Sequence, residues 1–280
     1  MAQEEIIINA PNTEALTPAQ VTQKAEDLGV TKTEMSFARS FMLSLMAGAF
    51  ISMGAMFFTL VVGDPNLPFA IQRVLGGFLF CLGLILVVVA GAELFTGNTM
   101  IVMTAASKRI KWSAVWKNWI VVFIGNFIGS LVIVGIVFLS EMPNMNGGQV
   151  GQTMVSVAAG KMNAGWLALF AKGIMCNFLV CLGVWMAYAS KTVTDKILAV
   201  IFPITAFVAC GFEHCVANMF FLPMGALLAS LGIAPAGIDP ATVNMVGALY
   251  NWSATVPGNI VGGALFVGMM YWFIYSKKKN

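Results

Sequence analysis

Four ionisable side chains stand inside apolar stretches of this sequence: Glu93, Lys172, Glu213 and His214. A charge at the centre of a bilayer costs at least ~2.5–3.5 kcal/mol, so each requires a partner or a task. His214 is the only histidine, and imidazole titrates near neutral pH. A lone histidine cannot build a multi-histidine metal site or ligate a haem from both faces. The five cysteines (Cys81, Cys176, Cys181, Cys210 and Cys215) all lie in apolar runs without a CxxC pair, and they read as small buried residues. No metal, cofactor or disulfide framework is expected. No second base, nucleophile or cofactor motif accompanies His214, so an enzyme is not expected either. Two readings are left for His214: a buried ring satisfied by its neighbours, or, the preferred one, a pore residue that meets a small guest. Thr96 offers a hydroxyl opposite it, although threonine also bonds its own helix backbone. The two glutamates read as acceptors for N–H groups freed where a helix stops, with a proton relay as the alternative. Lys172 reads as a residue that snorkels outward, or as one facing a pore or inter-subunit surface, the first being preferred.

The elements that must hold these groups follow from composition. The chain is 59% hydrophobic and 10% charged, against about 25% charged in soluble domains. A bilayer is the solvent that fits, and a net charge of +3 gives no case for nucleic acid. Apolar stretches that match a spanning helix lie near Phe41–Val62, Val74–Ala106, Trp116–Leu139, Gly165–Ala189, Ile197–Leu228 and Asn251–Tyr275. The second and fifth are too long for one span and are interrupted by glycine and charge, which predicts broken helices. Irregular backbone at that depth is tolerated only inside protein or along a cavity. Before the spans, Thr17-Pro18 opens a short amphipathic helix, with Gly29 as its expected stop. No secretory signal pattern is present, so the N-terminus is expected to be retained and cytoplasmic. The domains are thus 1–38, a cytoplasmic segment with the amphipathic helix, 39–276, the six-span body, and 277–280, a basic tail.

Lysine and arginine set the orientation. Lys24, Lys32, Arg39, Lys108, Arg109, Lys111, Lys117, Lys191, Lys196, Lys277, Lys278 and Lys279 fall on one side, against Arg73 and Lys161 on the other. This bias places both termini in the cytoplasm.

The halves of the chain repeat. Asn118-Trp119, Gly125-Asn126 and Gly129 recur as Asn251-Trp252, Gly258-Asn259 and Gly262. Gly91-Ala92-Glu93, leading to Gly97-Asn98, recurs as Gly211-Phe212-Glu213, leading to Ala217-Asn218. Three spans per half, an odd number, make the repeats inverted, with a permeation site at their interface. The glycines read as close-packing positions. Asn126 and Asn259 read as partners of the broken backbone. His214 breaks the symmetry, since Leu94 holds the matching position.

Gly211–Phe220 (GFEHCVANMF), Ala92–Thr96 (AELFT) and the paired G-N-x-x-G motifs closely resemble the formate/nitrite transporter family, and its bacterial formate channels most of all. The resemblance implies an all-α, aquaporin-like fold with six transmembrane helices, in a homopentamer of the bacterial inner membrane. It implies passage of formate or a similar small anion, with protons as partners, through two constrictions. Those map to Leu84 on the cytoplasmic side and to Phe80 with Phe207 on the periplasmic side. It further maps the central histidine to His214, its partner to Thr96, the following asparagine to Asn218, a vestibule lysine to Lys161 and a polar residue of the fourth span to Asn177. Lys172 takes no role from the family pattern. A neutral-solute channel of aquaporin type would carry Asn-Pro-Ala at both breaks, and neither break has it. Nitrite, hydrosulfide and proton-coupled transport remain alternatives at this stage.

Overall fold

The computed structural model describes residues 14–276. The basic tail 277–280 and the first 13 residues lie outside the described residues. Within them the chain is helical, with no strand. Helix α1 (Pro18–Glu34) starts where expected. Thr17 accepts from the Gln20 N–H while Gln20 Oε1 accepts from the Thr17 N–H. It does not stop at Gly29 but runs on to Glu34. Gly29 serves a different purpose, because a Cβ there would sit 1.9 Å from Thr104 Oγ1. Glycine lets α1 lie against the chain around Thr104, and the extra turn carries Lys32 inward.

Five helices are long and apolar enough to cross a bilayer: Phe37–Val62, Phe69–Gly91, Trp112–Leu139, Trp166–Ala189 and Met245–Tyr275. The first is α2. The second comprises α3 (Phe69–Leu86) and a wide π-type turn, Val87–Gly91. Short helices α4 (Phe95–Asn98) and α5 (Val102–Ala106) follow the break, and α6 is Trp112–Leu139. Helix α7 (Gln149–Met162) has no counterpart among the sequence expectations. Its mixed polarity hid it from a search for apolar runs, although Val150, Met154, Val155, Ala158 and Met162 bury one face. Helix α8 is Trp166–Ala189. The fifth predicted stretch is two helices, α9 (Val193–Ala209) and α10 (Asn218–Ser230), separated by irregular chain. Helix α11 (Met245–Ile260) continues through a π-type stretch, Val261–Met269, into α12 (Met270–Tyr275). Several helices begin before their apolar runs because caps set the boundary. Thr192 and Asp195 form a capping box for α9, and Asn244 accepts from Val246 and Gly247 N–H groups at 2.9 and 3.1 Å.

Helix α2 lies against α6 and α3, α8 lies against α11 and α9, and α3 lies against α9. Glycine makes these approaches close. A Cβ on Gly129 would lie 2.0 Å from Leu45 O, and one on Gly262 would lie 2.2 Å from Ile174 O. Backbone cannot retreat as a flexible side chain does, so Gly262→Ala is expected to destabilise by about 1–3 kcal/mol. Thermal unfolding in detergent checks this against Gly135→Ala, where a Cβ meets nothing within 4 Å. Equal melting of the two variants would refute the packing role.

Helix α1 is fastened by polar contacts. Lys24 donates to Tyr188 O at 2.7 Å, Ser107 donates to Glu26 Oε1 at 2.7 Å, and Arg109 meets Asp27 at 2.7 Å. The Arg109 hydrogen bond holds the Asp27 carboxyl below its usual range. A depressed carboxylate pKa stabilises above the unfolded value of about 3.9 and loses that contribution as pH falls through the folded value. Protection of α1 amides from exchange is therefore expected to drop by a factor of about two to five below roughly pH 4, as the ~0.2–1 kcal/mol of an exposed pair dictates. Arg109→Gln should abolish this acid-dependent part, and an unchanged profile in that variant would count against the contact.

Candidate functional site

Both breaks are made the same way. Gly91 (φ +87°) and Gly211 (φ +73°) turn the chain through the left-handed region, which glycine adopts without a steric cost. The backbone then leaves the helix, and an asparagine from a neighbouring helix takes up the freed groups. Asn126 Oδ1 accepts from the Phe95 N–H at 2.9 Å, while its Nδ2 donates to Glu93 O at 2.9 Å and Ser44 O at 2.8 Å. Asn259 Oδ1 accepts from the Cys215 N–H at 2.9 Å, while its Nδ2 donates to Glu213 O and Gly173 O, both at 2.8 Å. The sequence expectation for these two asparagines matches this geometry.

The glutamates differ from expectation. Their carboxylates accept from side chains, and no backbone N–H bond to either is found among the described residues. Glu93 accepts from Lys32 at 2.9 Å and from Asn98 at 2.7 Å, and Asn98 also donates to Asn118 Oδ1 at 2.9 Å. Glu213 accepts from Lys161 at 3.0 Å and from Asn218 at 2.8 Å, and Asn218 also donates to Asn251 Oδ1 at 2.8 Å. A buried carboxylate beside an ammonium satisfies two costly charges at once. Burial pulls the Lys32 ammonium down, but Glu93 and Tyr188 together outweigh it and hold its pKa above the ordinary lysine value. The two networks differ at the oxygen of the asparagine that follows each break. Asn98 Oδ1 accepts from Lys32 at 2.7 Å, whereas Asn218 Oδ1 is buried without a partner. Lys32, Asn98, Asn118 and Asn251 were not singled out as site residues from sequence. The asparagines stood in the repeat motifs, but Lys32 lies 61 residues from Glu93, and no local pattern announces that pairing.

His214 sits in the second break, 2% exposed. Its Nδ1 accepts from the Ala217 N–H at 3.1 Å, and its Nε2 lies 3.1 Å from Thr96 Oγ1. An Nδ1 that accepts from a backbone amide carries no hydrogen, so the neutral ring bears its proton on Nε2 and presents it toward Thr96. Phe207 stacks beside the ring, with centroids 5.8 Å apart, and Phe80 meets Phe207 edge-on at 5.7 Å.

His214, Phe207 and Phe80, but not Thr96, border a cavity of about 220 Å³ that also takes in Lys161, Glu213, Arg73 and Lys172. The structure thus brings His214, Phe80, Phe207, Lys161 and Glu213 to one space. Lys172 also borders it. Arg73 donates through Nε to Ala209 O at 2.9 Å and through Nη2 to Val208 O at 2.7 Å, closing the broken end of α9. Leu84, one turn along α3 from Phe80, is buried at 1% exposure and does not border this cavity. Nor does Asn177, whose Nδ2 contacts Thr96 O, Thr99 Oγ1 and Asn259 O at 3.1, 3.1 and 2.7 Å, tying the two breaks together.

A family profile described as formate/nitrite transporter matches residues 19–273. The chain belongs to the formate/nitrite transporter family. Among members of that family, the formate channel FocA of Escherichia coli K12 is 38% identical, covering 95% of this chain and 96% of that protein. The formate channel FocA of Haemophilus influenzae is 39% identical over 91% of this chain and 93% of its own length. A solved pentameric formate channel with formate bound superposes with a TM-score of 0.77 at 39% identity, covering 86% of this chain and 98% of the other. A solved FNT family ion channel superposes at 0.78 with 27% identity, covering 91% and 98%.

Proposed function

We propose that this chain is a channel for small monovalent anions, with formate as its substrate, in the bacterial inner membrane and as a homopentamer. Residues 39–276 form the channel body, residues 1–38 a cytoplasmic segment and residues 277–280 a cytoplasmic tail. The body is six spans in two inverted halves, the fifth span being α9 and α10 end to end. The duplicated contacts support this reading. Asn126 and Asn259, Glu93 and Glu213, and Lys32 and Lys161 make matching bonds from matching elements. The observation that carries the substrate is the 39% identity to a channel solved with formate bound.

In the proposed mechanism an anion enters the cavity bordered by Lys161, passes the Phe80–Phe207 pair, meets His214 and Thr96, and leaves past Leu84. Asn177 and Asn218 hold the walls of this route. A bare anion between aromatic and aliphatic walls is expensive. The Nε2–H of His214 answers that cost by donating to the carboxylate. An anion against the ring also favours its charged form. The second proton goes to Nδ1, with loss of the Ala217 bond. The charged ring then pairs with formate, or passes its Nε2 proton to it so that neutral acid crosses the dry segment. Either way flux rises on acidification.

Competitive flux of formate, nitrite, hydrosulfide and glycerol in proteoliposomes across pH 5 to 8 tests the reading. Formate is expected to be preferred and to move faster at low pH. Nitrite or hydrosulfide outrunning formate would reassign the substrate, and glycerol flux without anion flux would overturn the channel class.

A further inference from the structure

Three cations border the cavity on the Phe80–Phe207 side of His214, and they are not equivalent. Lys161 is ion-paired to Glu213 at 3.0 Å and lies 5.4 Å from the centre of the Phe221 ring. Arg73 gives Nε and Nη2 to the last carbonyls of α9. Lys172 makes no side-chain hydrogen bond and has no carboxylate within salt-bridge distance among the described residues. Its position is nonetheless fixed, because its backbone carbonyl accepts from the Glu213 N–H at 3.3 Å. The same bond that shapes the second break therefore holds the backbone of Lys172 at the cavity.

We propose that Lys172 is the capture site for small monovalent carboxylates on this side of the channel, binding the anion before it reaches the aromatic pair. The inference rests on the anion-channel reading above and deepens it. The Lys161 charge is largely spent on Glu213, whose own charge offsets it at any distance greater than the pair itself. An unpaired ammonium at a low-dielectric mouth raises the local anion concentration, and such focusing accelerates association by roughly tenfold or more. It also decays with ionic strength, because the screening length shrinks from about 10 Å at 0.1 M to about 3 Å at 1 M. A captured ion is held by charge alone, weakly enough to move on to His214.

The test uses the full chain in right-side-out and inside-out membrane vesicles, with labelled formate as the probe. Lys172→Met is expected to raise the half-saturating formate concentration about threefold to tenfold in one vesicle orientation only. The loss should vanish at saturating formate and fade at about 1 M salt. Lys172→Arg should restore wild-type concentration dependence. No shift would overturn the inference. So would an equal loss in both orientations that persists at saturation, or a failure of arginine to rescue, since each marks a merely structural lysine. Wild-type vesicles that take up no more formate than channel-free vesicles would instead sink the formate-channel reading, and the inference with it.

Discussion

Asn259→Leu is expected to leave little folded protein in the membrane, and Asn126→Leu the same. Each amide serves one backbone N–H and two backbone carbonyls at a helix break. Leucine matches the volume and supplies none of those bonds. In a bilayer no bulk water stands in for the lost partner. A buried group left without its bond costs about 1–3 kcal/mol, and three are exposed at once. That sum rivals the ~5–15 kcal/mol that holds a typical folded domain together. Both asparagines are fully buried, so no rearrangement to solvent is available. Yield and thermal unfolding of the purified variants measure the effect. A leucine variant that purifies and melts like wild type would show that the breaks are held by other means.

His214→Asn is expected to flatten the pH dependence of formate flux while leaving the protein folded. Asparagine keeps a donor that reaches toward Thr96 but cannot take a proton. Wild-type flux should climb as pH falls from 8 to 5, and the variant should hold one level throughout. Phe80→Ala is the companion change. It removes the edge-on partner of Phe207 and widens the cavity, so larger carboxylates such as lactate should begin to pass. Stopped-flow acidification of liposomes reads both variants. Persistence of the wild-type pH profile in His214→Asn would remove the ring from the permeation step. Continued exclusion of lactate by Phe80→Ala would remove the aromatic pair as a size filter.

Much of this architecture was legible in the sequence because its signals are local. Apolar length marked six stretches, five of which correspond to single long apolar helices, and glycine two residues before glutamate marks the places where helices fail. The asparagines of the G-N-x-x-G motifs pointed to broken backbone, and that is where they bond. Helix α7 stayed hidden because burial on one face of a mixed helix leaves no apolar run. Gly29 misled because a glycine that ends a helix and one that admits a neighbour look alike in sequence. The lysine–glutamate networks were invisible for a different reason. Sequence supplies the residue types, but which ammonium reaches which carboxylate depends on packing between elements 61 and 52 residues apart. Lys172 illustrates the same limit, since the depth of a residue along a span says nothing of the direction it faces.

While the ring is neutral, the Ala217 amide that occupies one nitrogen of the imidazole leaves a single hydrogen for any visitor. Such a ring hosts one ion at a time, unlike filters that keep several in file and push them along by mutual repulsion. Conductance should therefore saturate as a simple hyperbola. Mixtures of two permeant species should give currents between those of the pure solutions, with no minimum at intermediate ratios.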